Sequence, residues 1–491
     1  HVLRFAFTGA ENGFDPAVRS PSLFHFQGAG LLGLDALRQR ALDTKQPFDY
    51  DTPVEGLRAL DRHRFEVRVA RPAPRLLHVF ANGALTGALA REVVQAYAGK
   101  VPEHPVGTGP FRLAQWKRAS RIVLERNPLH QGVWDEQPNA DDAAGQAIAA
   151  QLKGRPLPLL DRVELAVIEE AQPRWLAFLN DELDVIALPS EFAGQAMPGR
   201  RLAPFLAKRG VQAVRAPQPT TWYTYFGMSN PMVGGYEPQQ VALRRAIALA
   251  YDAPREIAQV RRDQTMPSHR VGAAVGSGYG GGLGRGVASV GPARAVALLG
   301  LHGFVDRNGD GWRERPDGSA LQLEFTTQPD QLSRALQEVW KKSMDRIGVR
   351  ITFRVASWQE NIKASRAGKL MMWATGWSAA LPDGSYFLDV MYGPAKGQAN
   401  HARFDLPAFN ALHERQRELP DGPERDALIA KALKLGVAYM PLKATGHVVQ
   451  GWLAQPRVQG FVPHPFIRDW WRYVDVAAAP STAAPAAVAR T

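Results

Sequence analysis

The chain has no cysteine. Disulfides therefore contribute nothing, and thiolate metal sites and thiol nucleophiles are excluded. A cysteine-free chain of 491 residues suits an oxidising compartment, where stray thiols mispair. There is also no run of about 18 or more apolar residues, so no membrane-spanning helix is expected. The sequence opens on His1 with no basic-then-apolar leader, and reads as a mature or trimmed form whose signal peptide has been removed. No internal repeat is seen. Enzyme signatures are missing as well: no G-x-S-x-G elbow and no H-E-x-x-H. His413-Glu414 starts the latter without its second histidine, and the twelve histidines are dispersed.

What is present describes a large globular protein. Hydrophobic residues make up 45% and charged residues 22% of the chain, and the length exceeds what one ordinary core organises, so two lobes are expected. The formal net charge of +12 raises the question of an acidic partner. The basic residues are scattered singly and in pairs, such as Arg244/Arg245 and Lys341/Lys342. No basic helix interleaved with aromatics appears, so no nucleic-acid partner is expected.

Periodicity gives an α/β order. Residues 2–7, 64–70, 162–168, 184–189, 220–228, 321–327, 349–357 and 371–377 read as strands, and 105–128 as a Gly/Pro turn followed by a hairpin. Helical spacing occupies 28–42, 54–60, 91–98, 172–183, 241–252, 292–301, 330–347, 359–369, 405–417 and 421–437. The glycine-rich stretch 271–286 reads as a loop. The alanine–proline tail 477–491 has almost nothing to bury and reads as disordered.

Two local patterns invite a ligand. Gly28, Gly30 and Gly33 open a helix with Asp49 and Asp51 further on, as a dinucleotide site requires, but the preceding SLFHFQ is a poor strand. A second match, Gly276, Gly278 and Gly281, falls in the glycine-rich stretch. The turn Asp306-Arg307-Asn308-Gly309-Asp310-Gly311 matches the first half of an EF-hand loop, making Asp306, Asn308 and Asp310 weak calcium candidates. Its twelfth position is Asp317 rather than Glu, and it leads into a strand. The competing reading is an Asx-rich turn. No cofactor is expected.

At residues 105–128 the segment PVGTGPFRLAQW…IVLERNP resembles the signature of family 5 extracellular solute-binding proteins. Segments 54–80, 174–186, 224–252, 303–325, 371–388 and 439–447 are similar to the same family in the same order. The resemblance covers most of residues 50–475, closest to its oligopeptide and microcin-type branch. It implies a two-lobed periplasmic-binding-protein fold of type II, cluster C-like, with mixed sheets flanked by helices and a cleft at the hinge. Residues 1–226 and 446–476 would form lobe I, and 227–445 lobe II. The implied role is the periplasmic substrate-binding component of an ABC importer. It would take a peptide or peptide-like solute, meet a permease in the inner membrane and act as a monomer, with no enzymatic activity. The alternatives are a degenerate or truncated member without an import role, and a hydrolase.

Two departures stand out. The family carries a block of roughly 80–100 residues, the size of a satellite subdomain, between its early Asp-Pro and a stretch resembling SPSLFHF. Here Asp15-Pro16 runs almost directly into Ser20. Natural loss, an engineered deletion and residues closed up by renumbering all fit. Second, peptide-binding members hold the ligand amine with an Asp shortly after Gly-Trp. Here Gly376-Trp377 leads to Ala380, and the nearest carboxylates are Asp383 and Asp389.

The resemblance makes Trp377 a candidate ligand platform, against a core tryptophan, and Asp383 a partner for a ligand cation, against a loop carboxylate. Either Tyr223 and Tyr225 or Trp222 would face the cleft, and the other set the core. Asn230 is a candidate hydrogen-bonder, against a turn role before Pro231. Arg468 and Trp470 complete the set.

Overall fold

The computed structural model describes residues 1–7 and 30–477 apart from 47, 83–85, 98–99, 135–136, 141, 269, 271, 273–290 and 468. The Asp15-Pro16 junction, Gly28, all but Gly272 of the glycine-rich stretch, Arg468 and the tail beyond Ala477 lie outside the described residues.

Along the chain the strands used below are β1 (Val2–Phe7), β2 (Leu57–Ala59), β3 (Phe65–Val67), β4 (Phe111–Lys117), β5 (Arg121–Arg126), β6 (Arg162–Val167), β7 (Val185–Ala187), β8 (Gln212–Phe226), β9 (Thr265–Pro267), β10 (Gln322–Thr327), β11 (Arg350–Val355), β12 (Met372–Ser378) and β13 (Leu442–Ala454). The helices are α1 (Leu34–Thr44), α2 (Leu76–Phe80), α3 (Ala171–Leu179), α4 (Pro238–Ala250), α5 (Pro292–Leu301), α6 (Gln331–Asp345), α7 (Trp358–Arg366), α8 (Pro407–Glu418) and α9 (Pro423–Tyr439).

Contacts divide the chain into two compact units. One takes His1–Asp15, Ala88–Ala216 and Val449–Thr491; the other takes Pro16–Gly87 and Pro217–Val448. Of the four crossings between them, the two at 216/217 and 448/449 fall inside strands, β8 and β13. The sequence reading put Pro16–Gly87 in the first lobe, whereas its contacts gather it with the second unit. The physical reason is polar. Arg75, in the turn before α2, donates to carbonyls at the end of α8 and pairs with Asp383.

In the first unit the sheet runs β13–β7–β1–β6–β5–β4. β1 pairs with β6 in parallel from Val2↔Arg162 to Phe7↔Val167. Alternation along β1 sends Leu3 and Phe5 into a core with Ile122, Val163, Leu165 and Trp470. Burying each large apolar side chain contributes about 1.5–3 kcal/mol. A second cluster forms where α3 sets Trp175 and Phe178 against Ile186, Leu188 and Leu206.

In the second unit the sheet runs β11–β10–β12–β8–β13, with β9 paired to β13. β10 is parallel to β11 and β12, and β12 is antiparallel to β8. Helix α6 begins where Asp330 accepts the Ser333 amide at 2.8 Å. It turns Trp340 and Met344, one helical turn apart, onto the sheet. The Trp340 ring lies 4.9 Å from Phe325 and 4.1 Å from Tyr251. Leu243 and Ile247 of α4 and Leu299 of α5 close the same core.

Segment 54–60, expected as a helix, is instead a turn and strand β2 paired with β3. The Gly56 amide donates to Leu32 O at 2.7 Å and its carbonyl accepts the Arg68 amide at 2.9 Å. A Cβ on Gly56 would lie 2.5 Å from Leu32 N. This close approach of two backbones overrode a weak helical spacing. Elsewhere strands alternate with helices as the sequence predicts, in mixed sheets flanked by helices.

Candidate functional site

Strand β12 ends at Ser378, and the chain beyond it builds one wall of a cavity in the second unit. Asp383 accepts the Ser385 amide at 2.7 Å and caps the short turn Gly384–Phe387. That cap folds residues 383–398 back toward α8. The cavity measures about 490 Å³, within the range of small-molecule sites. Tyr386 and Tyr392 line it on this side, His413, Glu414, Arg417 and Glu418 on the α8 side, and Arg71, Pro72, Arg75, Leu76 and Val79 on the side of Pro16–Gly87.

Beneath it runs a continuous buried polar network. Arg425 Nη2 lies 2.7 Å from each oxygen of Asp383. Arg425 Nε donates to Gln416 Oε1 at 3.1 Å, and Gln416 Nε2 donates to His413 Nδ1 at 3.1 Å. His413 Nε2 donates to Asp389 Oδ1 at 2.8 Å. With an amide donating to Nδ1 and a carboxylate accepting from Nε2, the neutral Nε2–H tautomer satisfies every contact. All five side chains are buried. Burial pushes the His413 imidazole below its ordinary range, and Arg417 adds to this against the pull of Asp389. Burial alone would raise the Asp389 carboxyl, but Arg417 and His413 outweigh it and hold it below the ordinary value. The charged pair is therefore Asp389 with Arg417, at 2.5 Å, and His413 is a neutral orienting donor.

Arg75 closes the network from the other wall. Its guanidinium donates to Leu419 O at 3.0 Å and to Arg417 O at 2.5 Å, and it forms an ion pair with Asp383 Oδ2 at 3.1 Å. It thus satisfies carbonyls that α8 leaves open at its C-terminus. The Tyr392 hydroxyl donates to Glu414 at 2.7 Å, and burial with that carboxylate pushes its ionisation up to about 12.

The residues singled out in the sequence do not gather in one place. Trp377 is partly exposed on β12; its ring stacks on Tyr386 at 5.7 Å and its Nε1 donates to Tyr386 O at 3.2 Å. Since Tyr386 lines the cavity, Trp377 supports it from behind. Asp383 also lines it, but as a buried carboxylate already held by Arg425 and Arg75 rather than an open loop charge. Tyr223 and Tyr225 are the core set, both buried, with the Tyr225 hydroxyl 2.7 Å from Ser365 Oγ. Trp222 is partly exposed, beneath the Arg261 guanidinium at 4.5 Å and facing Gly376 across the β8–β12 pairing. Asn230 is a turn residue whose Oδ1 accepts the Met232 amide at 2.9 Å. Trp470 belongs to the core of the first unit, 5.4 Å from Phe5. Arg468 lies outside the described residues.

The calcium candidates form an Asx turn. Asp306 accepts the Gly309 and Gly311 amides at 2.7 and 2.9 Å, Asn308 accepts the Asp310 amide at 2.9 Å, and Asp310 pairs with Arg350 at 2.6 Å. Asp306, Asp310 and Glu314 bring carboxylate oxygens together, but backbone amides and an arginine already occupy them. Sequence reasoning missed Arg75, His413, Gln416, Arg417 and Arg425. The signal was there for three: His413 and Gln416 share the buried stripe of Phe409 on α8, and Arg425 shares that of Leu428, Ile429 and Ala432 on α9. A polar residue inside an apolar stripe marks a buried partner.

The chain belongs to the bacterial extracellular solute-binding proteins, family 5, whose middle-region description matches residues 14–399. Among curated relatives, the periplasmic oligopeptide-binding protein OppA of Salmonella typhimurium is 22% identical over 464 residues, covering 91% of this chain and 73% of that protein. The dipeptide-binding protein DppE of Bacillus subtilis is 22% identical over 370 residues, covering 73% of this chain and 58% of that protein. Among solved structures, the periplasmic binding protein DppA of Helicobacter pylori in complex with the peptide STSA superposes with a TM-score of 0.72 at 16% identity, covering 97% of this chain and 98% of that one. The Haemophilus influenzae OppA complex with RPPGFSPFR gives 0.66 at 18% identity, covering 94% and 81%. At these identities the structural likeness establishes the fold.

Proposed function

We propose that this protein is the periplasmic substrate-binding component of an ABC importer, that it binds a peptide or peptide-like small solute without altering it, and that it delivers the solute as a monomer to an inner-membrane permease. The observation that carries this is the family match across residues 14–399. Relatives named for oligopeptides, dipeptides and tripeptides support the solute class. Relatives named as periplasmic support the location, and no helix among the described residues is long and apolar enough to cross a membrane.

The hydrolase reading finds little to stand on. Among the described residues, hydroxyl-to-imidazole contacts join Ser365 to His401 at 3.0 Å and Thr221 to His447 at 3.3 Å. Both hydroxyl residues are fully buried, so no substrate carbonyl reaches them.

Thermal unfolding with and without a pool of di- to pentapeptides tests the proposal. A bound ligand stabilises by mass action, by about 2.7 kcal/mol at a hundredfold excess over Kd. A concentration-dependent rise in Tm, with the peptides recovered intact, is the expected result. No shift with any peptide, or fragments in place of intact peptides, refutes it.

A further inference from the structure

Hairpin β2–β3 and helix α2 turn apolar side chains outward. The register sets Leu57 opposite Val67 and Ala59 opposite Phe65, so these four share one face. Phe65 is 69% and Leu57 43% exposed, and Ala59 is exposed as well. The Phe65 ring meets Phe80 of α2 edge-on at 6.5 Å. Leu77, about one turn before Phe80, is 76% exposed, and Leu60, at the entry to the hairpin tip, is 52% exposed. Large apolar side chains gathered in one exposed place mark an interaction surface, where scattered ones would not.

The charges around that face have one dominant sign. From Leu57 to Phe80 the chain carries six arginines against two carboxylates, Asp61 and Glu66. Both carboxylates are already engaged. Asp61 accepts the His63 and Arg64 amides at 2.8 and 2.9 Å and pairs with Arg64 at 2.6 Å, which folds the tip and leaves Arg62 and His63 exposed at its end. Glu66 pairs with Arg68 at 2.7 Å, on the face opposite Phe65. Apolar side chains on one face with arginines beside them are the composition of a segment that lies in a bilayer interface. An arginine stem can rest along apolar surface while its head stays in water, and an anionic surface attracts that head. A standard protein interface covers about 800 Å² on each partner, which four outward apolar side chains on a short hairpin do not supply.

We infer that residues 57–80 dock reversibly on an anionic lipid bilayer, with Leu57, Leu60, Phe65 and Leu77 entering the interface and Arg62 meeting the headgroups. The contact is shallow and salt-sensitive. Charge draws the hairpin in over a screening length of about 10 Å at 0.1 M salt, and apolar burial holds it there. The net charge of +12 helps the whole molecule approach but does not select the hairpin; the apolar face does. The inference needs no solute and is independent of the solute-binding reading, so either can fail alone.

Because the chain has no cysteine, a single labelled one tests the inference. Ala59→Cys carrying an environment-sensitive fluorophore reports on the apolar face, and Arg294→Cys, exposed on α5, is the control. With vesicles of phosphatidylglycerol in phosphatidylcholine, the label at 59 brightens and shifts to the blue while the label at 294 does not. High salt reverses the shift, and phosphatidylcholine alone gives little of it. Phe65→Ser/Leu77→Ser, which keeps the net charge, weakens co-sedimentation with the anionic vesicles about tenfold or more, and Arg62→Glu weakens it about tenfold. Every substituted side chain is exposed, so Tm stays that of the wild type; should the double variant unfold, the two labelled chains decide alone. Equal responses from the two labels, or unchanged vesicle binding by the folded double variant, show attraction by net charge alone and overturn the inference. A shift at 59 with polyglutamate or DNA and none with vesicles assigns the surface to an acidic macromolecule and overturns it too.

Discussion

Arg425 places one guanidinium nitrogen 2.7 Å from both oxygens of Asp383, with both side chains buried. Removing one partner strands the other charge away from water. Asp383→Ala is therefore expected to destabilise by about 3–5 kcal/mol, read as a lower urea midpoint with an unchanged m-value. Because Asp383 also caps the turn at 384–387, the double variant Asp383→Leu/Arg425→Met should recover part of the loss and not all of it.

Gly376 faces the Trp222 ring across the β8–β12 pairing, and a Cβ there would lie 2.7 Å from Trp222 Cζ3. The ring cannot retreat freely, because Arg261 covers it at 4.5 Å and is itself paired with Glu256 at 2.6 Å. Gly376→Ala should cost about 1–3 kcal/mol from overpacking and shift tryptophan fluorescence. Trp222→Leu in the same chain should remove most of that cost. An additive double mutant would contradict the contact.

Burial pushes Lys443 down to about 8 from 10.5, with Glu256 opposing the shift. Its ammonium donates to Ala444 O at 2.9 Å and lies 5.2 Å from the Tyr251 ring. Between about pH 8 and 10 the unfolded chain holds this proton and the folded chain does not, so stability should rise with pH across that window. Lys443→Met should flatten the rise and raise stability at pH 7, measured by urea unfolding at each pH.

Histidines work in the opposite range. Burial pushes His401 and His447 down to about 4 from 6.5, with Arg366 and Arg270 respectively adding to the effect. Below pH 6.5 the unfolded chain takes up protons that the folded chain refuses. Stability should fall as pH drops from 6.5 toward 4, and His401→Gln should reduce the slope of that fall. An unchanged slope would show that His401 titrates normally.

Much of the fold was legible because period and punctuation agree over long segments. α6 announces itself through Asp330 before a run that repeats at Trp340 and Met344, and β1 through strict alternation of Leu3 and Phe5. Segment 54–60 misled because its decisive contacts are backbone bonds from Gly56 to Leu32 and Arg68, which no side-chain pattern records. The site was legible only in part. Trp377 and Asp383 were singled out; the structure sets Asp383 in the cavity lining and Trp377 behind Tyr386, and Asp383 is no open charge because its partners stand 42 residues later at Arg425 and far earlier at Arg75. Long-range pairing of this kind leaves only a faint trace, a polar residue inside an apolar helical stripe.

Native mass spectrometry tests the central claim most directly, on the protein as purified and again after exposure to a peptide pool. The account predicts a discrete adduct of small-peptide mass, released intact on denaturation and exchangeable for added peptide. A spectrum of bare protein under every condition, or the appearance of cleaved products with turnover, would contradict it.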